Sequence, residues 1–144
     1  MSRMRVGLVI YGTLDTVSGG YLYDRYLVDH LRGRGHTVQI ISLPWRNYLS
    51  HLSDNLSFSL VRQLTEGSFD LLLQDELNHP SLWHTNRRLR GHLRCPIVGI
   101  VHHLRSSEWR AAWLNRVFRV VERRYLAGLD GFVFNSQTTR QAVE

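Results

Sequence analysis

Four groups of residues in this sequence could do chemistry. Ser18-Gly19-Gly20 stands immediately before an amphipathic stretch. Glycines at a helix start can present backbone N–H groups to an anion, with the helix dipole behind them. The same glycines serve equally well in a tight turn that binds nothing. The spacing is not G-x-G-x-x-G, and a phosphate-binding P-loop needs a lysine, which the chain lacks altogether. His102-His103 closes an apolar run, where an imidazole serves either as a structural group or as a ligand-binding or catalytic one. Asp75-Glu76 follows another such run. Carboxylates there can bind sugar hydroxyls, act as a base, cap the next helix or face solvent. Arg116, Arg119 and Arg123 fall within about 60° of one another on a helical wheel. Trp113, Leu114, Val117, Val120 and Val121 occupy another sector, which predicts a buried apolar side and a basic outer face. That face is either simply solvated or docked on an anionic membrane.

The elements that must hold these groups follow from hydrophobic patterning. Apolar, β-branched runs at residues 6–11, 38–43, 69–73, 97–101 and 132–134 have the near-continuous character of parallel strands covered on both faces. Between them, residues 20–32, 55–66, 81–93 and 107–127 are long enough for crossover helices. Gly33 and Gly35 stop the first helix. The alternation predicts an α/β fold, a doubly wound, Rossmann-like parallel sheet with helices on both faces. In the strand order 3-2-1-4-5, winding reverses between the first and fourth strands, and ligands bind at the carboxyl ends of the strands there. That order sets the Ser18-Gly19-Gly20 loop beside the two histidines.

Composition narrows the classes. The 144 residues, 43% hydrophobic and 21% charged, suit one soluble globular domain spanning 1–144, and no apolar run is long enough for a membrane span. The apolar run after Met1–Arg5 is too short for a signal peptide, so a cytoplasmic protein is expected. Cys95 is the only cysteine and suits packing. His79 and His84 are five apart without an H-E-x-x-H pattern, so no metal is expected. Charge is unevenly spread: residues 1–86 hold 7 arginines and 8 acids, net −1, and residues 87–144 hold 11 arginines and 4 acids, net +7. Nucleic acid, an anionic membrane and a phosphorylated ligand are the partners that such a balance suits. No helix-turn-helix, zinc-finger or RNA-recognition signature accompanies it, and nucleic acid is not expected. A non-catalytic basic α/β module binding a ligand or nucleic acid is the alternative to an enzyme.

Several motifs, in order, resemble the amino-terminal half of family 4 glycosyltransferases. They are Arg5-Val6-Gly7-Leu8-Val9-Ile10, Ser18-Gly19-Gly20-Tyr21-Leu22-Tyr23, Leu31-Arg32-Gly33-Arg34-Gly35-His36-Thr37-Val38, the strand ending in His102, the long helix, and Asp130-Gly131-Phe132-Val133-Phe134-Asn135-Ser136 leading into Thr138-Thr139-Arg140. The resemblance implies the GT-B arrangement of two Rossmann-like domains. It implies metal-independent transfer of a sugar from a nucleotide-sugar donor to an acceptor hydroxyl, with retention. It places Gly19 and Gly20 near the donor diphosphate, His102 or His103 against the transferring sugar, and Asp75 and Glu76 on the acceptor side. The acceptor would be a glycan or lipid-linked substrate; separately, the basic face of Arg116, Arg119 and Arg123 would, if docked, contact the inner side of a membrane. The family's paired glutamates belong to a carboxyl-terminal domain absent from this sequence. The chain, ending just after a helix start at Ser136, is therefore expected to be a fragment, inactive alone and lacking its donor-binding half.

Overall fold

The chain enters the sheet through β1 (Arg5–Tyr11), whose residues from Val6 onward are all buried. Such a strand has both faces covered, so it must lie inside the sheet. The computed structural model, which describes residues 3–15, 19–45, 48–101 and 112–134, places it there. The elements that follow are α1 (Gly19–Gly33), β2 (Thr37–Leu43), α2 (Tyr48–Leu52), a 3-10 turn (Ser53–Leu56), α3 (Phe58–Glu66), β3 (Leu71–Asp75), a second 3-10 turn (Glu76–Asn78), α4 (His79–Leu89), β4 (Ile97–Val101), α5 (Ala112–Ala127) and β5 (Gly131–Phe134). All five strands are parallel, in the order β2-β1-β3-β4-β5.

The α/β, doubly wound, Rossmann-like class expected from the sequence is the one observed. The strand order differs from the expected 3-2-1-4-5. After β2 the chain crosses over β1, and β3 pairs with β1 on its free side, Val6 opposite Leu71 and Val9 opposite Gln74. Winding therefore reverses between β1 and β3, and β4 lies one strand further out. The expectation that the first loop adjoins the end of β4 is corrected accordingly. Its neighbour is the end of β3, at Asp75.

Strand alternation divides the core. Val6, Leu8, Ile10, Leu73 and Ile100 pack with Tyr21 and Val28 of α1 on one face. Val9, Tyr11, Leu72 and Ile97 pack with Leu60 and Leu64 of α3, Leu82 and Leu89 of α4, and Tyr125 of α5 on the other. Two departures from the expected boundaries have clear causes. The third strand begins two residues later than its apolar run, because Ser68 turns with a φ of +50° and Phe69 folds back over Gly67 and Gly7. The expected helix over residues 55–66 breaks at Ser57, which is extended and caps α3 by accepting the Leu60 N–H at 3.2 Å.

Asn55, just before that break, bonds through both ends of its side-chain amide. Its Nδ2 donates to the carbonyls of Leu52 and Pro80 at 2.9 and 2.8 Å. Its Oδ1 accepts the N–H groups of His84 and Thr85 at 2.9 and 3.0 Å. The Pro80 carbonyl and the His84 N–H are the pair that an uninterrupted α-helix joins directly. The Asn55 amide thus bridges the first turn of α4, tying the strand-end loops to that helix.

Candidate functional site

The carboxyl ends of β1 and β3 are where a sheet of this order receives ligands. β1 stops at Tyr11 because Gly12 takes a φ of +66°. Its N–H donates to the Leu43 carbonyl at 2.8 Å, and its own carbonyl accepts the Ser42 hydroxyl. α1 then opens at Gly19, so Gly19 and Gly20 form its first residues, as the anion-binding reading requires. Ser18 lies outside the described residues.

Beneath this opening, Tyr21 donates its hydroxyl to the Tyr11 carbonyl. One turn on, Asp24 is fully buried on the side of α1 that faces the sheet. It lies beside Asp75, itself buried at the last position of β3, so two carboxyl groups face each other out of water. Two neighbouring buried carboxyl groups favour holding a proton over carrying two charges. Burial pushes the Asp24 carboxyl above its ordinary range, and polar contact with Asp75 opposes that shift in part. Burial, then the nearby charges of Asp75 and Asp24, push the Tyr21 phenol well up, so it stays a donor. Asp75 also accepts the Leu77 N–H at 3.0 Å, which caps the 3-10 turn after β3. Asn78, at the end of that turn, is fully buried, and neither atom of its amide has a hydrogen-bond partner among the described residues.

A second polar chain occupies the opposite face of the same edge. Tyr11 and Ser81 share a hydrogen bond of 2.6 Å, Ser81 donates to Asp54 at 2.8 Å, and His51 Nδ1 lies 3.2 Å from the same Asp54 oxygen. A nucleophilic triad needs the imidazole between the hydroxyl and the carboxylate. Here the carboxylate stands in the middle and Ser81 is fully buried, so the chain fastens α4 to β1 and does not activate a nucleophile. The rings of Tyr11 and His51 stack at 4.0 Å, and half-exposed Trp45 lies 5.0 Å from Tyr11. A cleft of about 200 Å³ opens beside them, lined by Ser42, Pro44, Asp54, Ser57, Ser59 and Gln63.

The sequence-predicted residues fall as follows. Gly19, Gly20 and Asp75 come to the β1/β3 edge, with Asp75 buried and serving as a cap and as the neighbour of Asp24. Glu76 opens the next turn, and its side chain lies outside the described residues. His102 and His103 also lie outside the described residues, directly after β4. Arg116, Arg119 and Arg123 are exposed as expected. Of the apolar sector assigned to their helix, Val121 is buried as expected, Trp113, Val117 and Val120 are exposed instead, and the Leu114 side chain lies outside the described residues; Phe118 and Tyr125 share the buried side with Val121. His79 faces Glu122 at 3.9 Å, both buried, and no metal-binding group of three ligands exists among the described residues. Among them, too, no helix is long and apolar enough to cross a membrane. Burial raises the Cys95 thiol, which agrees with a packing role.

Sequence reasoning missed Tyr21, Asp24, Asn78, His51 and Asp54. Asp24 left a signal: an acid among Tyr21, Leu27 and Val28 on the apolar side of α1. A hollow of about 350 Å³ at the opposite edge, around Arg90, Arg94, Cys95 and Asp130, is bordered by strand starts, and Arg90 already pairs with Asp130 at 3.3 Å. The strand ends remain the better candidate.

The carboxyl pair makes a pH prediction. A carboxyl raised in the folded state binds more protons than in the unfolded chain, so stability falls as pH rises from the ordinary carboxylate range to the raised value. Asp24→Asn, which can donate to Asp75, is expected to flatten that fall. It should raise Tm at neutral pH by about 2–4 °C, the equivalent of ~1 kcal/mol at this size. Thermal melts across pH check it.

No family model matches the chain, and no curated protein matches it either.

Proposed function

We propose that this domain is the acceptor-side, amino-terminal half of a retaining glycosyltransferase of the GT-B type. The observation that carries the reading is the opening of α1 on Gly19-Gly20, directly after the central strand and at the edge where winding reverses. Departure of a nucleotide diphosphate puts negative charge where such a helix start can stabilise it, through N–H groups that need no reorganisation. The motif order described above supplies the family. The cleft lined by Ser42, Asp54, Ser57, Ser59 and Gln63 offers acceptor hydroxyls a polar surface on the same edge. In this reading His102 or His103 contacts the transferring sugar, no metal takes part, and a second domain brings most of the donor site and excludes water on closure.

A phosphoryl-accepting module fits less well. It needs an open carboxylate beside a cation, whereas Asp75 at the end of β3 is 2% exposed and the chain has no lysine.

The test is transfer. A protein joining this domain to a donor-binding domain is expected to move sugar from a nucleotide-sugar to an acceptor hydroxyl, with the anomeric configuration retained by NMR. The 144-residue chain alone is expected to fold and to give no transfer. Absence of transfer and of nucleotide-sugar hydrolysis over a panel of uridine- and guanosine-diphosphate sugars would reject the reading, as would turnover by the isolated chain.

A further inference from the structure

The outer face of α5 is neither a plain solvated surface nor a covered one. Trp113, Val117 and Val120 are 71%, 39% and 45% exposed, and their spacing of four and three sets them in one line along the helix. Exposed Arg116 and Arg123 flank that line, and exposed Arg124 ends it. There α5 meets α4 across a groove of about 250 Å³ walled by Arg87, Arg90 and Arg124. Neither helix exposes a carboxylate: their one acid, Glu122, is 2% exposed and turned toward His79. A solvated helix face ordinarily mixes charge signs and keeps tryptophan inward.

We propose that this face docks on an anionic phospholipid membrane, with α5 lying along the surface. Charge complementarity selects the occupant, and the apolar line refines the choice. A nucleic-acid backbone rewards the arginines and gains nothing from Trp113, Val117 and Val120. A lipid interface rewards both: tryptophan seats at headgroup level, valines reach the acyl boundary, and guanidinium groups pair with phosphates. From Trp113 to Arg124 the contact runs about 16 Å along the helix. A crossover helix runs antiparallel to the strands, so Trp113 lies toward the strand ends and docking brings that edge near the lipid. The proposal rests on exposure and charge and stands apart from the sugar-transfer reading.

Sedimentation of the 144-residue chain with vesicles tests it. Binding is expected to vesicles of phosphatidylcholine mixed with phosphatidylglycerol, to be absent with phosphatidylcholine alone, and to weaken with salt. Arg116→Ala and Arg123→Ala should each lower the partition coefficient about fivefold, and Trp113→Ala should lower it severalfold. These residues are exposed, so unchanged thermal melts should accompany each loss. Equal binding to both vesicle types, binding to neither, or full binding by Trp113→Ala overturns the proposal. Binding to polyglutamate or single-stranded RNA that matches binding to the anionic vesicles overturns it in favour of a general polyanion surface.

Discussion

Replacing Asn55 by alanine is expected to lower the melting temperature by roughly 10 °C, the shift that ~3–5 kcal/mol produces in a chain of this length. The substitution removes a few atoms and little apolar area, so packing alone would predict a small effect. The cost comes from what is left behind. The Leu52 and Pro80 carbonyls and the His84 and Thr85 N–H groups each lose a partner, and Thr85 and Pro80 are buried. A buried polar group left unsatisfied costs ~1–3 kcal/mol. Part is recovered by the remaining bonds of α4 and by water reaching the gap, which is why the expected figure lies well below the full sum. Asn55→Asp is the informative companion, since it keeps the two accepted bonds and loses the two donated ones. A melting temperature for Asn55→Ala within two or three degrees of the parent would show that α4 heals the gap by itself.

The second large effect concerns the start of α1. Under the proposed sugar-transfer function, Gly20→Val in a protein joining this domain to a donor-binding domain is expected to reduce kcat about 10²-fold, with a smaller change in the donor KM. A β-branched side chain at the helix start blocks close approach of a diphosphate to the backbone N–H groups. Loss of one such donor at a developing charge ordinarily costs ~2.7–4 kcal/mol of transition-state stabilisation. The split between kcat and KM is the useful readout. Interaction that grows as the diphosphate leaves shows in kcat, whereas ground-state binding shows in KM. An unchanged kcat would remove Gly20 from the leaving-group site and leave it as a turn residue.

The sheet was legible because its strands carry their burial in sequence. Val6–Ile10 and Ile97–Val101 are continuous apolar runs, and such runs have few other places to go. The order of the strands was not legible, since alternation of strand and helix is shared by 3-2-1-4-5 and 2-1-3-4-5 sheets. Gln74 and Asp75 were read as lying beyond the third strand because they are polar. They belong to it, since Gln74 exchanges two hydrogen bonds with Asn86 at 2.9 and 2.8 Å and Asp75 meets Asp24. Their partners lie 12 and 51 positions away, distances over which local pattern carries no information. α5 shows the opposite difficulty. Trp113, Val117 and Val120 were assigned to the buried side from their positions on the helical wheel, but Gly99 admits Leu129 so closely that a Cβ there would sit 2.6 Å from the leucine Cδ1. That fit helps turn Phe118, Val121 and Tyr125 inward and leaves Trp113, Val117 and Val120 outside. Among the site residues, the glycines were readable from spacing. Asp24 and Asp54 were not, because each acquires its meaning from a residue elsewhere in the chain.

The Asp24–Asp75 contact also has a calorimetric consequence. Seating α1 on β3 brings together two groups that, in the unfolded chain just above the ordinary carboxylate range, are both ionised. Folding in that window must draw a proton from solution, and the buffer supplies it. The apparent enthalpy of folding should therefore depend on the buffer's own heat of ionisation, differing between a carboxylate buffer and an amine buffer at the same pH. Asp24→Asn should abolish that difference. The molecule would then report by heat alone whether the helix and the central sheet have closed.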